Sequence, residues 1–213
     1  MVVHVEIWSD VVCPWCYVGK RRFEAALGRF EHRDEVEVTW RSFELDPSAP
    51  RERDVDGATH LARKYGMERE RALPLQRGLA ELAAADGLDL RFDLARGGNS
   101  FDAHRLIQLG RELGVQSGVK ERLMLAYFTE GEPIGDPEAL ARIAPEAGLP
   151  EDEVRELLVT ERYAEEVRED ERDAAALGIN AVPCFVVDRR MGVSGAQEPE
   201  LLLKLLTRAW AQA

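Results

Sequence analysis

The chain has 213 residues, of which 45% are hydrophobic and 32% charged, the balance of a globular protein able to bury a sizeable core. Its 28 basic and 40 acidic residues leave a net charge of −12, which argues against a grip on nucleic acid or on an anionic membrane, since both want clustered Lys and Arg. Three cysteines are too few for a disulfide framework, and no stretch approaches the ~20 apolar residues of a membrane span.

The opening Val2-Val3-His4-Val5-Glu6 lacks the basic region and long apolar stretch of a signal peptide. A cytoplasmic location is therefore expected, and there a Cys-x-x-Cys is more often catalytic or metal-binding than structural. Residues 2–8 alternate loosely, with Val3, Val5 and Ile7 on one side, and predict a strand. Ser9 and Asp10 sit in a short turn before Cys13-Pro14-Trp15-Cys16. From Trp15 onward, Val18, Arg22, Phe23, Ala26 and Leu27 recur at helical spacing, and Gly28 is the expected stop. The basic run Lys20-Arg21-Arg22 reads as solvated helix surface. Residues 35–43 alternate again and predict a second strand.

Residues 46–56, rich in Pro, Asp and Arg, read as an exposed connection. From Thr59 to about Leu177 the pattern is helical in several segments. Ser100 is the expected N-cap of a helix carrying Phe101, Ala103, Leu106, Ile107, Gly110 and Leu113. Further helices are predicted at 119–129, 137–147 (with Pro137 in its first turn), 151–159 and 161–177. The pattern then returns to a short apolar strand at 183–188, a turn from Asp188 to Met191, a hairpin partner at 192–195 and an amphipathic helix at 198–211. The order is β-α-β, a long helical block, then β-β-α.

A Cys-x-x-Cys between a strand and a helix start places its first sulfur at the helix N-terminus. Unpaired backbone N–H groups and the positive end of the helix dipole favour an anion there, so Cys13 is the expected nucleophilic thiolate. Cys16 lies one turn further on, placed to attack a mixed disulfide at Cys13 and release the substrate. Pro14 suits the first helical turn, where its missing N–H has no partner to lose. Trp15 is expected to be exposed beside the sulfurs as an apolar contact for a partner chain. Half of a zinc site is the other use of this spacing. A closed site needs about four ligands, and beyond Cys184 only the scattered His4, His32, His60 and His104 remain. Cys184 reads either as a small buried hydrophobe on its strand or as a third thiol near the redox pair, able to form an alternative disulfide or to ligate a metal.

Four segments, in order and at their spacings, carry a resemblance along nearly the whole chain: SDVVCPWCYVGKRRFE (9–24), NSFDAHRL (99–106), YFTEGEPIGDPEAL (127–140) and GINAVPCFVVDRRMGVSGAQEPELL (178–202). They resemble the DsbA-like thiol–disulfide oxidoreductases, specifically the FrnE-like branch. The resemblance implies an α/β thioredoxin-like fold, here residues 1–57 and 161–213, interrupted by a helical domain, here 58–160. It implies that Pro183 is a cis-proline facing the Cys-x-x-Cys, that substrate backbone pairs with Val182, and that the proline keeps metal away from the dithiol. Asn99, Ser100, Phe101 and His104 would lie near the active-site cleft; a His104 imidazolium near Cys13 would support the thiolate. Two positions depart from the relatives, which usually carry an aromatic residue at Cys184 and often Tyr at Met191.

The function implied is dithiol–disulfide exchange with protein or small-molecule substrates, with no cofactor beyond the Cys13–Cys16 disulfide itself, no metal, and glutathione as a conceivable co-substrate. No nucleic-acid or membrane partner is expected, and a homodimer is compatible. One alternative is a glutathione-dependent isomerase or transferase resembling 2-hydroxychromene-2-carboxylate isomerase, whose members typically carry Ser at the nucleophile position. The other is a non-catalytic, redox-sensing interaction module built on the same scaffold.

Overall fold

A computed structural model describes residues 2–212. Its strands and helices form two compact units, residues 1–45 with 164–213, and residues 46–163. The first unit holds β1 (Val3–Ser9), α1 (Pro14–Arg29) and β2 (Val36–Ser42), entered through a 3-10 turn at Arg33–Glu35. After the helical unit it resumes with α8 (Ala164–Ala176), β3 (Cys184–Val187), β4 (Met191–Ser194) and α9 (Pro199–Trp210). The sheet order is β2-β1-β3-β4; β1 runs parallel to β2, whereas β3 is antiparallel to both β1 and β4. This is the α/β thioredoxin-like arrangement with helices inserted.

Strand parity assigns the two faces of this sheet. Val5 and Ile7 of β1 are in register with Val187 and Phe185 of β3, and Ile7 with Trp40 of β2. On this face Phe23 of α1 stacks on Phe185 with ring centroids 5.6 Å apart, and α9 packs beside α1. Phe30 and His32 close that end against Trp210. The opposite face presents Glu6 and Trp8, and α8 covers it: Trp8 Nε1 donates to the Asp170 carbonyl at 2.9 Å. Because β1 is central and covered on both sides, its alternation is apolar on one face and mixed on the other, which is why the sequence alternates only loosely.

The α8 face also carries a charge cluster. Arg41 pairs with Glu6 and, at 2.8 Å, with Asp170, whose other oxygen accepts the Ser42 N–H at 2.8 Å. Arg189 pairs with Glu6 at 2.7 Å and with Asp173 at 2.7 Å. Arg189 reaches them from a tight β3–β4 turn in which Asp188 (φ 49°) and Arg189 (φ 51°) are both left-handed, a conformation costly for Arg that two carboxylates help to hold. The turn is shorter than expected, so Met191 belongs to β4 rather than to the turn.

The second unit contains α2 (Gly57–Tyr65), α3 (Arg69–Ala85), α4 (Phe101–Glu112), α5 (Gln116–Leu125), α6 (Pro137–Ile143) and α7 (Glu151–Val159). A π-helical turn at Ala126–Glu130 follows α5, and a 3-10 turn at Ala144–Ala147 follows α6, so the helices expected at 119–129 and 137–147 each change winding before they end. The unit begins at Asp46 rather than near residue 58, because the 46–56 connection pairs with the helical block: Arg53 N–H donates to the Gly97 carbonyl and Asn99 N–H to the Pro50 carbonyl. Gly98 and Gly135 are required by that pairing, since a Cβ at either would fall about 2 Å from the Arg51 carbonyl oxygen.

Two helix-end expectations are corrected. Gly28 does not stop α1; it lies inside the helix in open surroundings, and the chain leaves the helix at Phe30. Ser100 stands at the N-cap of α4, but its backbone (φ −101°, ψ 2°) is not extended and its hydroxyl makes no capping bond. The neighbouring Asn99 side chain does this work, its carbonyl accepting the Phe101 N–H at 2.9 Å.

Candidate active site

Cys13 is the N-cap residue of α1, with extended backbone (φ −93°, ψ 112°), and Pro14 follows in the first turn. The strand β1 delivers the chain to this point, and the Asp10–Cys13 turn follows, closed by Cys13 N–H donating to the Asp10 carbonyl at 3.3 Å. All three cysteines are thiols in this structure. The Cys16 thiol donates to the Cys13 sulfur, as do the backbone N–H groups of Cys16 and Trp15, and together these hold the Cys13 thiol below its ordinary pKa. Burial and the Asp10 carboxylate act in the opposite direction. The helix N-terminus thus stabilises the anion through specific N–H groups as well as through its dipole.

The second wall of the site is the loop before β3. The Val182–Pro183 peptide bond is cis, and the Cys13 thiol meets the Val182 carbonyl oxygen at 3.8 Å. Helix α1 approaches this loop at Gly19, where a Cβ would stand 2.8 Å from Pro183 Cγ. Trp15 is 44% exposed, whereas Cys13 and Cys16 are buried at 5% and 0%. The geometry therefore offers a shielded thiol pair with an exposed aromatic ring beside it.

Cys13, Pro14, Trp15, Cys16, Val182 and Pro183 are brought together in the thioredoxin-like unit. Cys184 belongs to the same unit but faces the other way. It is in register with Trp8 and packs with Trp8, Ala174 and Val186 on the α8 face, where burial raises its thiol pKa. Asn99, Phe101 and His104 belong to the helical unit. Asn99 caps α4, and His104 is fully buried within that helix. No group of three or more His, Cys, Asp or Glu among the described residues has the arrangement of a metal site. No helix among them is long and apolar enough to cross a membrane.

Residues 4–207 match the family model of the DSBA-like thioredoxin domain. The chain belongs to the DSBA-like thioredoxin family. As a DsbA-like thiol–disulfide oxidoreductase it is similar to a solved protein from Streptomyces coelicolor, named as a probable DsbA oxidoreductase, at 46% identity and a TM-score of 0.94, covering 99% of this chain and 91% of that one. It is 29% identical over 197 residues to the Bacillus subtilis protein YwbO, covering 88% of each chain. The cytosolic disulfide reductase DsbM of Pseudomonas aeruginosa shares the fold, with 17% identity, a TM-score of 0.69 and coverage of 99% and 100%; it has also been solved with GSH.

Three residues in and just before α1 escape a motif reading. Asp10 is fully buried, its carboxylate accepting the N–H groups of Leu45 at 2.8 Å and Val12 at 3.4 Å. Gly19 is defined by what a side chain there would strike. Lys20, expected on solvated surface, is only 2% exposed. Its signal was present in the spacing, since Cys16, Lys20 and Phe23 are separated by four and three residues and form one inward stripe of the helix.

Proposed function

We propose that this chain exchanges disulfides with protein or small-molecule thiol substrates through Cys13 and Cys16. The observation that carries this reading is the Cys13 thiol itself, set at the N-cap of α1 with its pKa lowered by the Cys16 thiol and two backbone N–H groups. In the reducing direction the Cys13 thiolate attacks one sulfur of a substrate disulfide, and the other sulfur leaves as a thiolate that takes up a proton. The Cys13 mixed disulfide is then attacked by Cys16, which forms the Cys13–Cys16 disulfide and frees the second substrate thiol. The substrate gains two electrons and the enzyme dithiol loses them; the oxidising direction runs the same steps backwards.

The exposed Trp15 and the Val182 carbonyl are the groups positioned to meet a substrate chain. Glutathione falls within the small-molecule substrate class. Cysteine rather than serine at position 13 favours exchange over a glutathione-dependent isomerisation.

The test is the redox equilibrium of the protein against a glutathione buffer, read by tryptophan fluorescence and by mass mapping of the paired cysteines. A reversible Cys13–Cys16 disulfide that disappears in Cys13→Ser is the expected result. A stable glutathione adduct at Cys13 with no internal disulfide would favour the isomerase or transferase reading instead.

A further inference from the structure

Asp10 is the charged residue nearest to Cys13 along the chain, and the exchange cycle leaves it without a role. It is fully buried. One carboxylate oxygen accepts the Val12 N–H at 3.4 Å, the other accepts the Leu45 N–H at 2.8 Å, and the Asp10 carbonyl accepts the Cys13 N–H at 3.3 Å. Asp10 and Cys13 are thus the first and last residues of one β-turn, which holds their Cα atoms within about 7 Å. The turn alone does not call for a charge, since Asn and Ser make the same side-chain bond to the N–H two residues on without ionising. Burying a carboxylate instead costs several kcal/mol before its hydrogen bonds return any of it.

The position suggests what the charge is for. The Leu45 N–H, just beyond β2, fixes the second oxygen, so the carboxylate is held at the head of the reactive turn from two segments of the chain. There its charge bears on the Cys13 sulfur and opposes the anion that the Cys16 thiol and the backbone N–H groups favour. We propose that Asp10 is a positioning residue of the exchange site: a fixed negative charge, locked at the head of the Cys13 turn by the Leu45 N–H, that disfavours the reduced pair and so biases the cycle toward reduction of substrate disulfides.

This role rests on the exchange cycle above and gives it a direction. In the reduced enzyme the Cys13 thiolate and the Asp10 carboxylate are like charges at the two ends of one turn. In the Cys13–Cys16 disulfide the sulfur is neutral and the repulsion is gone. The reduced pair, one thiolate and one thiol, gives two electrons and one proton to a substrate disulfide, and a second proton from solvent completes two substrate thiols. Two molecules of a small thiol such as glutathione then return the enzyme disulfide to dithiol and leave as a disulfide themselves. The other titratable and charged groups on the elements around the turn are Cys16, Lys20, Arg21 and Glu24 on α1, Glu44 after β2, Arg168 and Glu171 on α8, and Cys184 on β3. Glu24 pairs with Lys20 and Arg21, the equally buried Glu44 is matched by Arg168 at 2.7 Å, and Cys184 turns to the α8 face. Asp10 is the carboxylate of this set that shares a turn with Cys13.

The experiment titrates Cys13 in the full chain by the pH dependence of its alkylation with iodoacetamide, mapped by mass, and measures the dithiol–disulfide equilibrium against glutathione. It compares the parent with Asp10→Asn and Asp10→Ser, which both keep an oxygen acceptor for the turn and remove the charge. The Cys13 titration is expected to fall by about one pH unit in both, the low end of the shift for a neighbouring like charge. At a pH above both titrations, the glutathione equilibrium is expected to move about tenfold toward the dithiol. A carboxylate that only holds the turn predicts the opposite sign, because a loosened turn aims the Cys16 and Trp15 N–H groups less well at the sulfur and raises the Cys13 pKa. A fall in both variants with the matching shift in equilibrium supports the proposal; any other pair of results overturns it while leaving the exchange cycle standing. If one variant does not fold, the other decides. If neither folds, Asp10 is an anchor of the fold and the proposal falls. Failure of the parent chain to form a Cys13–Cys16 disulfide would instead overturn the functional reading and this role together.

Discussion

Gly19→Ala tests whether the close approach of α1 to the Pro183 loop sets the site. The added methyl would lie 2.8 Å from Pro183 Cγ and 3.4 Å from Phe185 Cζ. Carbon atoms pack comfortably at about 3.5–4.0 Å, so helix and loop must part by roughly 0.7 Å or more. Overpacking of this kind costs about 1–3 kcal/mol, while replacing a helical glycine by alanine returns about 1 kcal/mol. The net destabilisation is about 0–2 kcal/mol, or a fall in Tm of up to about 8 °C for a chain of this length. Activity should suffer more, because a misplacement approaching 1 Å at a reacting centre costs up to about 100-fold. The displaced groups are the ones that face each other across the site, the Cys13 thiol and the Val182 carbonyl, already 3.8 Å apart. Gly28→Ala on the same helix is the control: nothing lies within 4 Å of the added methyl, so Tm should rise by about 2–4 °C with exchange unchanged. Rates of reaction with oxidised glutathione and thermal melts on both variants decide the matter. A Gly19→Ala protein as active as its parent, and stabilised like Gly28→Ala, would refute the argument.

Three further outcomes are expected. Cys184→Ala should cost about 1–2 kcal/mol through the small cavity left beside Trp8 and Ala174, with the exchange rate retained; lost turnover in this variant would place the third thiol in the cycle. Burial pushes the Glu6 carboxyl up, but the hydrogen bonds and charges of Arg189 and Arg41 outweigh it, so its pKa lies below the ordinary carboxylate value. A group depressed on folding contributes stability above its unfolded pKa of about 4.3 and loses it as pH falls through the folded value, so the Glu6 contribution should be intact at neutral pH and vanish in the acid limb. Urea melts from pH 7 to pH 3 should therefore show a shallower acid loss in Glu6→Gln, from a lower starting stability; parallel curves would show that Glu6 is not the titrating group. Arg105, almost fully buried in the helical unit, donates to the carbonyls of Leu157, Thr160 and Arg162 and pairs with Asp102. Arg105→Met takes a charged donor from each of those carbonyls, of which Leu157 keeps the Thr160 N–H, and leaves Asp102 without its partner arginine; it should lower stability in urea by about 3 kcal/mol or more, and a loss within 0.5 kcal/mol would mean that solvent replaces the bonds.

The strand and helix order was legible because each element carries its own period. Residues 2–8 and 35–43 alternate, the helical block does not, and the run at 183–188 is too short and too apolar to be anything but a buried strand. The dithiol was equally legible, since a Cys-x-x-Cys between a strand and a helix start fixes both sulfurs by local geometry alone. What the sequence hid depends on contacts between distant segments. Gly19 looks like any glycine in a helix until the Pro183 loop is laid against it. Ser100 looks like a cap, but cap function depends on the backbone angles of the residue, and here Asn99 has the better geometry. Lys20 was hidden by its own charge, because a lysine between two arginines looks solvated unless its helical position is set beside those of Cys16 and Phe23.

Cys184 shows how parity can separate thiols that the chain places close together. It lies two residues beyond Val182, whose carbonyl the Cys13 thiol meets, and by chain distance it ought to be available to the dithiol. Its register decides otherwise. Pairing with Trp8 turns the Cys184 side chain to the α8 face, while Phe185, in register with Ile7, takes the face beneath α1. Two residues contribute to holding that register: Trp8, whose indole donates to Asp170, and Phe185, stacked on Phe23. A slip of one residue would turn Cys184 toward α1, lose the Phe23–Phe185 stack and put a phenyl ring against Trp8 and Ala174. Fitting a phenyl ring into the buried space that holds a thiol overpacks that face at a cost of about 1–3 kcal/mol, enough to make the slipped register rare. The sheet thereby keeps a third thiol out of the exchange site through apolar packing, with its pKa raised by burial as a second barrier to reaction.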